Sequence, residues 1–145
     1  MRVNYLYLRD GALVPKYQTS QAAGADLHAC IEKPIIIKVG QSVLVPSGIA
    51  VELPKGYELQ IRPRSGLALN HGVTVLNSPG TVDSDYRGEL MALMINHGSK
   101  PFTINNGDRI AQIIIAKHET VQFKEVKEFT ESSRGKSGFG STGHK

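Results

Sequence analysis

Glycine and proline interrupt this chain so often that no long regular element fits between them: 15 glycines and seven prolines are spread through 145 residues. The intervening runs are short and rich in Val, Ile, Leu and Tyr, the pattern of strands joined by turns. The clearest runs are 3–8, 34–39, 42–49, 57–61, 73–76, 89–96, 102–104 and 109–117. Eight or more strands in a chain of this length predict an all-β domain of the sandwich or jelly-roll kind. The one helical signal is a turn or two across 65–70, where Ser65-Gly-Leu-Ala-Leu69 begins well but Gly66 weakens it.

The run Ile110 to Ala116 has Gln112 as its single polar residue. It therefore carries apolar side chains on both faces, unlike a half-wet strand, and its second face needs a cover. The other sheet or a neighbouring subunit can supply it. Arg109 and Gln112 stand three apart at the start of this run, on opposite faces by simple alternation unless a bulge intervenes. The length suits one domain with one core. Residues 1–124 carry the strand pattern; 125–145 form an arm whose hydrophobic pattern is too thin to hold a core.

Seventeen Lys and Arg against 13 Asp and Glu leave a formal charge of +4. That suits an anionic ligand and falls short of a nucleic-acid footprint, since the cations form no tract. Cys30 is the single cysteine, which excludes an intrachain disulfide and fits core filling in a reducing compartment. The five histidines do not group with Cys or carboxylates at metal-ligand spacings. A dedicated zinc site is not expected, and any metal should arrive with the substrate. No apolar run approaches the roughly 18 residues needed to span a bilayer, and no targeting segment is evident. A soluble, cytoplasmic protein is expected.

Five segments carry candidate chemistry. Arg62-Pro-Arg-Ser-Gly66 gathers two guanidinium groups, a hydroxyl and a flexible backbone, a plausible phosphate grip; alone it is a weak signal and reads sooner as an ordinary turn stiffened by Pro63 with solvated arginines. Gly80-Thr-Val-Asp-Ser-Asp-Tyr-Arg-Gly88 reads as a glycine-bracketed hairpin presenting Asp83, Ser84, Asp85 and Tyr86. Its carboxylates can serve as base and orienter or simply cap turn N–H groups. Ala23-Gly-Ala-Asp-Leu-His-Ala29 offers Asp26 among small and apolar residues, the setting of a buried carboxylate that accepts backbone hydrogen bonds. Arg109-Ile-Ala-Gln112 adds a cation and an amide. The ending Ser132 to Lys145 has the composition of a disordered terminus. Yet Phe139 stands there among glycines, hydroxyls, Arg134 and Lys136. Such groups wrap phosphate oxygens, and an aromatic among them stacks on a base, so the arm reads as a nucleotide clamp.

In this order, the segments 23–29, 63–68, 80–88, 109–112 and 134–143 resemble the five motifs of the trimeric dUTPase family, over about residues 3–143. Each is weak alone; the ordered set is specific. The resemblance implies a distorted β jelly roll and a homotrimer, with an apolar channel on the threefold axis and the C-terminal arm exchanged between subunits to close shared active sites. It implies hydrolysis of dUTP to dUMP and pyrophosphate, which clears dUTP from the DNA precursor pool and supplies dUMP for dTMP synthesis. Asp83 is implied as the base for a water attacking the α-phosphorus. Mg²⁺ is implied on the triphosphate, with Asp26 touching it through water only. Arg64, Ser65, Gly66, Gln112, Arg134, Gly140, Ser141 and Thr142 match the phosphate-binding positions. Asn77, Gly80, Thr81, Val82, Tyr86 and Phe139 match those around uracil and deoxyribose. Neither nucleic acid nor membrane is an implied partner.

One departure stands out: Ser137 occupies a position where the family usually has glycine, which narrows the allowed backbone. Two rivals from other classes remain. A dCTP deaminase shares the fold and the arginine-serine grip, but the Gly138-Phe-Gly-Ser-Thr-Gly143 ending and the 83–86 segment resemble the hydrolase. A nucleotide-binding regulator without catalysis is the other, and the presence of Asp83, Tyr86 and Phe139 speaks against it.

Overall fold

The computed structural model describes residues 1–138. Eleven strands and one helix follow in order: β1 (Asn4–Tyr7), β2 (Lys16–Tyr17), β3 (Ala25–His28), β4 (Ile35–Ile37), β5 (Ser42–Glu52), β6 (Tyr57–Arg62), α1 (Ser65–His71), β7 (Val73–Val75), β8 (Gly80–Val82), β9 (Glu89–Asn96), β10 (Phe102–Ile104) and β11 (Arg109–Lys117). They form a four-stranded sheet β1-β5-β9-β7, a five-stranded sheet β2-β3-β11-β6-β8 and the pair β10-β4. Every pairing is antiparallel. The all-β, jelly-roll expectation holds, and the weak helical signal at 65–70 becomes α1.

Strand β9 shows why the fold forms. Its sequence ELMALMIN alternates between partly and fully buried positions, so Leu90, Ala92 and Met94 enter the core on one face. Leu27, Ile37, Ile49, Leu59, Ile104 and Ile110 join them at 0–1% exposure. Each such side chain contributes about 1.5–3 kcal/mol through burial. Cys30 is buried among them, with its thiol directed at the Asp10 carbonyl 3.6 Å away, as core filling predicts.

Two buried polar groups are satisfied. Asn96 donates to the carbonyls of Ile37 at 2.9 Å and Lys100 at 2.8 Å, and its Oδ1 accepts from Gly98 N at 2.8 Å. Ser47 donates to Leu90 O at 2.6 Å across a register shift between Pro46 and Ala50. Gly48 lies in that bulge at φ 71°, where a Cβ would stand 2.6 Å from the Ala12 Cβ.

Strand β11 answers the question of its second face in part. Ile110, Ala111 and Ile113 are buried and Ile115 packs against the core, while Gln112, Ile114 and Ala116 on the other face are half-buried. After Lys117, residues 118–138 carry no strand or helix, and Phe123 and Phe129 are more than 90% exposed.

Candidate active site

Among the described residues strand β8 pairs with β6 alone, matching Gly80 with Ile61, Thr81 with Gln60 and Val82 with Leu59. The chain then crosses to β9, which pairs with β5 and β7 in the other sheet. The expected 80–88 hairpin is therefore corrected: Gly80 and Gly88 bracket a crossover between two sheets. Glycines ease a sharp bend in either arrangement, so spacing alone could not distinguish them.

The crossover walls a cleft of about 270 Å³. Asn77, Gly80, Thr81, Val82, Asp83 and Tyr86 line it over an apolar floor of Leu44, Ile61, Leu90 and Met91. Six sequence-predicted residues thus converge on one cavity. Because β8 ends the order of its sheet, its outer edge keeps backbone N–H and C=O groups unpaired by any strand among the described residues. Those groups, with the Asn77 amide, can read the donors and acceptors of a flat polar ring. Asn77 stands close enough that a Cβ at Gly80 would lie 3.2 Å from its Nδ2.

Tyr86 is held across the cleft by its hydroxyl, which donates to Glu89 O at 3.2 Å. Its ring uses the space that a side chain at Gly88 would take. The Tyr86 N–H donates to Asp83 O at 3.2 Å, closing a turn. Among the described residues the Asp83 carboxylate has no hydrogen-bond or ion-pair partner, so its oxygens can accept from an incoming water.

A second group forms around Asp26, which is 8% exposed. Its Oδ1 meets Arg64 Nε at 3.3 Å and its Oδ2 meets Arg109 Nη1 at 3.2 Å. Arg64 also donates through Nη1 to Arg109 O at 2.9 Å. Gln112 lies directly opposite Asp26 and donates to Pro63 O at 2.9 Å. A bulge between Arg109 and Ala111 brings Arg109 and Gln112 to the same face, resolving the alternative left open by their spacing. Ser65 and Gly66 follow Arg64 in the first turn of α1, which has no side-chain cap. The setting of a buried carboxylate was legible; its guanidinium partners, in place of backbone donors, were not. Beside it, His28 Nδ1 is buried and has no hydrogen-bond partner among the described residues, and burial pushes the imidazole below its usual pKa.

Among the described residues no side-chain hydrogen bond or ion pair joins the two groups. Arg134 meets neither through a hydrogen bond, its Nε donating to Ser137 O at 2.9 Å within the arm. Phe139, Gly140, Ser141 and Thr142 lie outside the described residues. Sequence reasoning missed Glu89, which lines the cleft and binds Arg9 at 3.0 Å and Gly48 N at 2.7 Å. Its Arg9 partner is 80 positions away, and no local pattern signals such a pair.

Residues 10–143 match the family model described as dUTPase. The chain belongs to the dUTPase family. This dUTPase is 61% identical over 136 residues to the deoxyuridine 5'-triphosphate nucleotidohydrolase of Treponema denticola, covering 94% of each chain. It is 58% identical over 130 residues to that of Rickettsia typhi, covering 90% of this chain and 88% of the relative. In fold it is similar to a Staphylococcus bacteriophage 80alpha dUTPase solved with dUpNHpp, at TM-score 0.88, 22% identity and 98% coverage of both chains. A dUTPase from phage phi11 of S. aureus, described with a structural Mg(II) ion, superimposes at TM-score 0.81 and 21% identity over 90% of this chain and all of that one. No described helix of this dUTPase is long and apolar enough to cross a membrane.

Proposed function

We propose that this dUTPase hydrolyses dUTP to dUMP and pyrophosphate, with Asp83 as the base, Mg²⁺ carried on the triphosphate, and each active site shared among three chains. The observation that carries this reading is the single cleft in which the edge of β8, Asn77, Asp83 and Tyr86 meet.

Uracil pairs with the unpaired backbone of β8 and with Asn77. On this reading the edge excludes thymine's methyl, and cytosine's amino group would set donor against donor, at about 1–3 kcal/mol per unpaired group. The Tyr86 ring lies under deoxyribose, where a 2′-hydroxyl would collide with it. Phe139 of the arm stacks on the base. Asp83 accepts a proton from the water whose oxygen attacks the α-phosphorus in line. The bond from that phosphorus to the β-bridging oxygen breaks, and pyrophosphate leaves. A positioned carboxylate supplies about 10²–10⁴ of the acceleration, and electrostatics supply much of the rest.

The phosphates lie against Arg64, Ser65, Gly66 and Gln112, with Arg134, Gly140, Ser141 and Thr142 closing from the arm, residues 125–145. The donor set fits a magnesium ion that comes with its ligand. Among the described residues no group of three His, Cys, Asp or Glu could hold a metal alone, and both Asp26 oxygens are engaged by guanidinium groups. Asp26 would thus hold the ion through water. When bound, Mg²⁺ neutralises phosphate charge.

The lack, among the described residues, of any side-chain bond joining the Asp26 group to the cleft supports a site built from more than one chain, as do the half-buried outer face of β11 and the exposed apolar residues of 118–138. The product, dUMP, is then available for dTMP synthesis.

The test is to incubate the protein and MgCl₂ separately with dUTP, dCTP, dTTP and UTP, following pyrophosphate and the nucleotide product. dUMP and pyrophosphate from dUTP alone is the expected result. Deamination of dCTP, or no turnover of any of the four, would overturn the reading.

A further inference from the structure

Among the described residues no side chain holds the Asp83 carboxylate, so its direction is set by the backbone of residues 83–86. That backbone is gripped from outside by a residue with no place in the chemistry described above. Arg87 donates through Nη1 to Ser84 O at 2.7 Å and to Tyr86 O at 2.9 Å. The two carbonyls belong to the Ser84–Asp85 and Tyr86–Arg87 peptide planes, which bracket Asp85 and Tyr86. With the Tyr86 N–H on Asp83 O at 3.2 Å, they leave the turn little freedom to rotate. Charge-assisted bonds of this kind are stronger than neutral ones.

We infer that Arg87 is a positioning residue of this dUTPase: it fixes the turn that aims Asp83 and Tyr86 into the cleft. The inference rests on reading Asp83 as the base and Tyr86 as the sugar platform. The grip is anchored at its other end. Arg87 Nη2 lies 3.5 Å from Glu52 Oε1, and Glu52 Oε2 accepts from Asn4 Nδ2 at 2.8 Å. The crossover is thereby tied to the β1–β5 edge. Arg87 and Glu52 are each about half exposed (54% and 53%), so this ion pair is the weaker part of the device. The two carbonyl bonds do the positioning, and a single nitrogen makes both.

That last detail separates positioning from bulk packing. Arg87→Met keeps the aliphatic stem and removes the donors. Arg87→Lys keeps one charged nitrogen, one bond nearer the backbone, to offer to the same two carbonyls while giving up the contact to Glu52. For Arg87→Met, kcat on dUTP should fall on the order of 10- to 100-fold, the loss expected when a reacting group is misplaced by about an ångström. The preference for dUTP over UTP should fall with it. Midpoint of thermal unfolding and sedimentation should stay near the parent's. Arg87→Lys should recover kcat to within about threefold, because the two bonds return. Asp83→Asn is measured alongside. If Asp83→Asn is inactive and Arg87→Met keeps parental kcat and nucleotide preference, the inference fails alone. If Arg87→Lys is as impaired as Arg87→Met, the donors to the carbonyls are not the cause and the inference also fails. If Asp83→Asn turns over normally, the reading of the base fails and takes the inference with it.

Discussion

Gln112 occupies the space that a side chain at Gly24 would need: a Cβ built there collides with its amide oxygen. Gly24 is not among the positive-φ glycines, so its backbone would accept alanine, and the nearest conflict is with Gln112. Gly24→Ala should push the amide off Pro63 O and cost about 1–3 kcal/mol, as overpacking does. The KM for dUTP should rise if Gln112 holds a phosphate. Urea denaturation of Gly24→Ala, Gln112→Ala and the double variant checks this. The double variant, with the clash removed, should lose less than the sum of the single losses.

Asp26 stands between Arg64 and Arg109 with its side chain 11% exposed. Asp26→Asn keeps the shape and leaves two guanidinium groups facing a neutral amide. Both arginines are partly exposed, so the loss should be smaller than for a fully buried pair, about 1–3 kcal/mol. If Asp26 also holds the waters of Mg²⁺, the concentration of MgCl₂ giving half-maximal turnover should rise. Thermal unfolding and a MgCl₂ titration of activity measure the two effects separately. Loss of stability with an unchanged MgCl₂ requirement would leave Asp26 as a clamp on the arginines only.

How much of this was legible beforehand depends on the range of the interaction. The two-residue alternation of β9 is local, and its inward face could be read directly. Strand β8, three residues beginning with glycine, exists because β6 lies beside it, and β3 because β11 does. Neither has a pattern of its own. The site divides the same way. Asp83 and Tyr86 sit in one segment, 80–88, and were legible as a motif, while Asn77 entered through the family resemblance alone. Their supports are Arg87 tied to Glu52 and Glu89 tied to Arg9, side chains brought together by sheet pairing. The bulge in β11, which sets Arg109 and Gln112 on one face, arises from pairing with β3 and was visible only as an alternative.

Gly88 provides a test of sugar recognition that leaves Tyr86 itself intact. Its backbone also lies outside the positive-φ set, and a Cβ there would run into the Tyr86 hydroxyl and ring. Gly88→Ala should therefore swing the ring away from its bond to Glu89 O. If the ring excludes a 2′-hydroxyl, the ratio of kcat/KM for dUTP over UTP should fall, on the order of tenfold, within the range that steric pockets supply. An unchanged ratio would remove Tyr86 as the discriminator.

The arm supplies the last test. Its cations, glycines and hydroxyls lie beyond the final strand, which ends at Lys117, and the core contains no residue from it among those described. Removing 134–145 should consequently leave folding and assembly unchanged while taking away Arg134, Phe139, Ser141 and Thr142 together. Hydrolysis of dUTP should drop by several orders of magnitude, since phosphate-charge stabilisation by an arginine alone is worth about 10³–10⁵ in related phosphoryl transfer. Sedimentation and steady-state kinetics on the same preparation decide the matter. A trimer without activity identifies the segment as a closing element of the site. A monomer would mean that these residues hold the subunits together, and the loss of activity would then follow from disassembly.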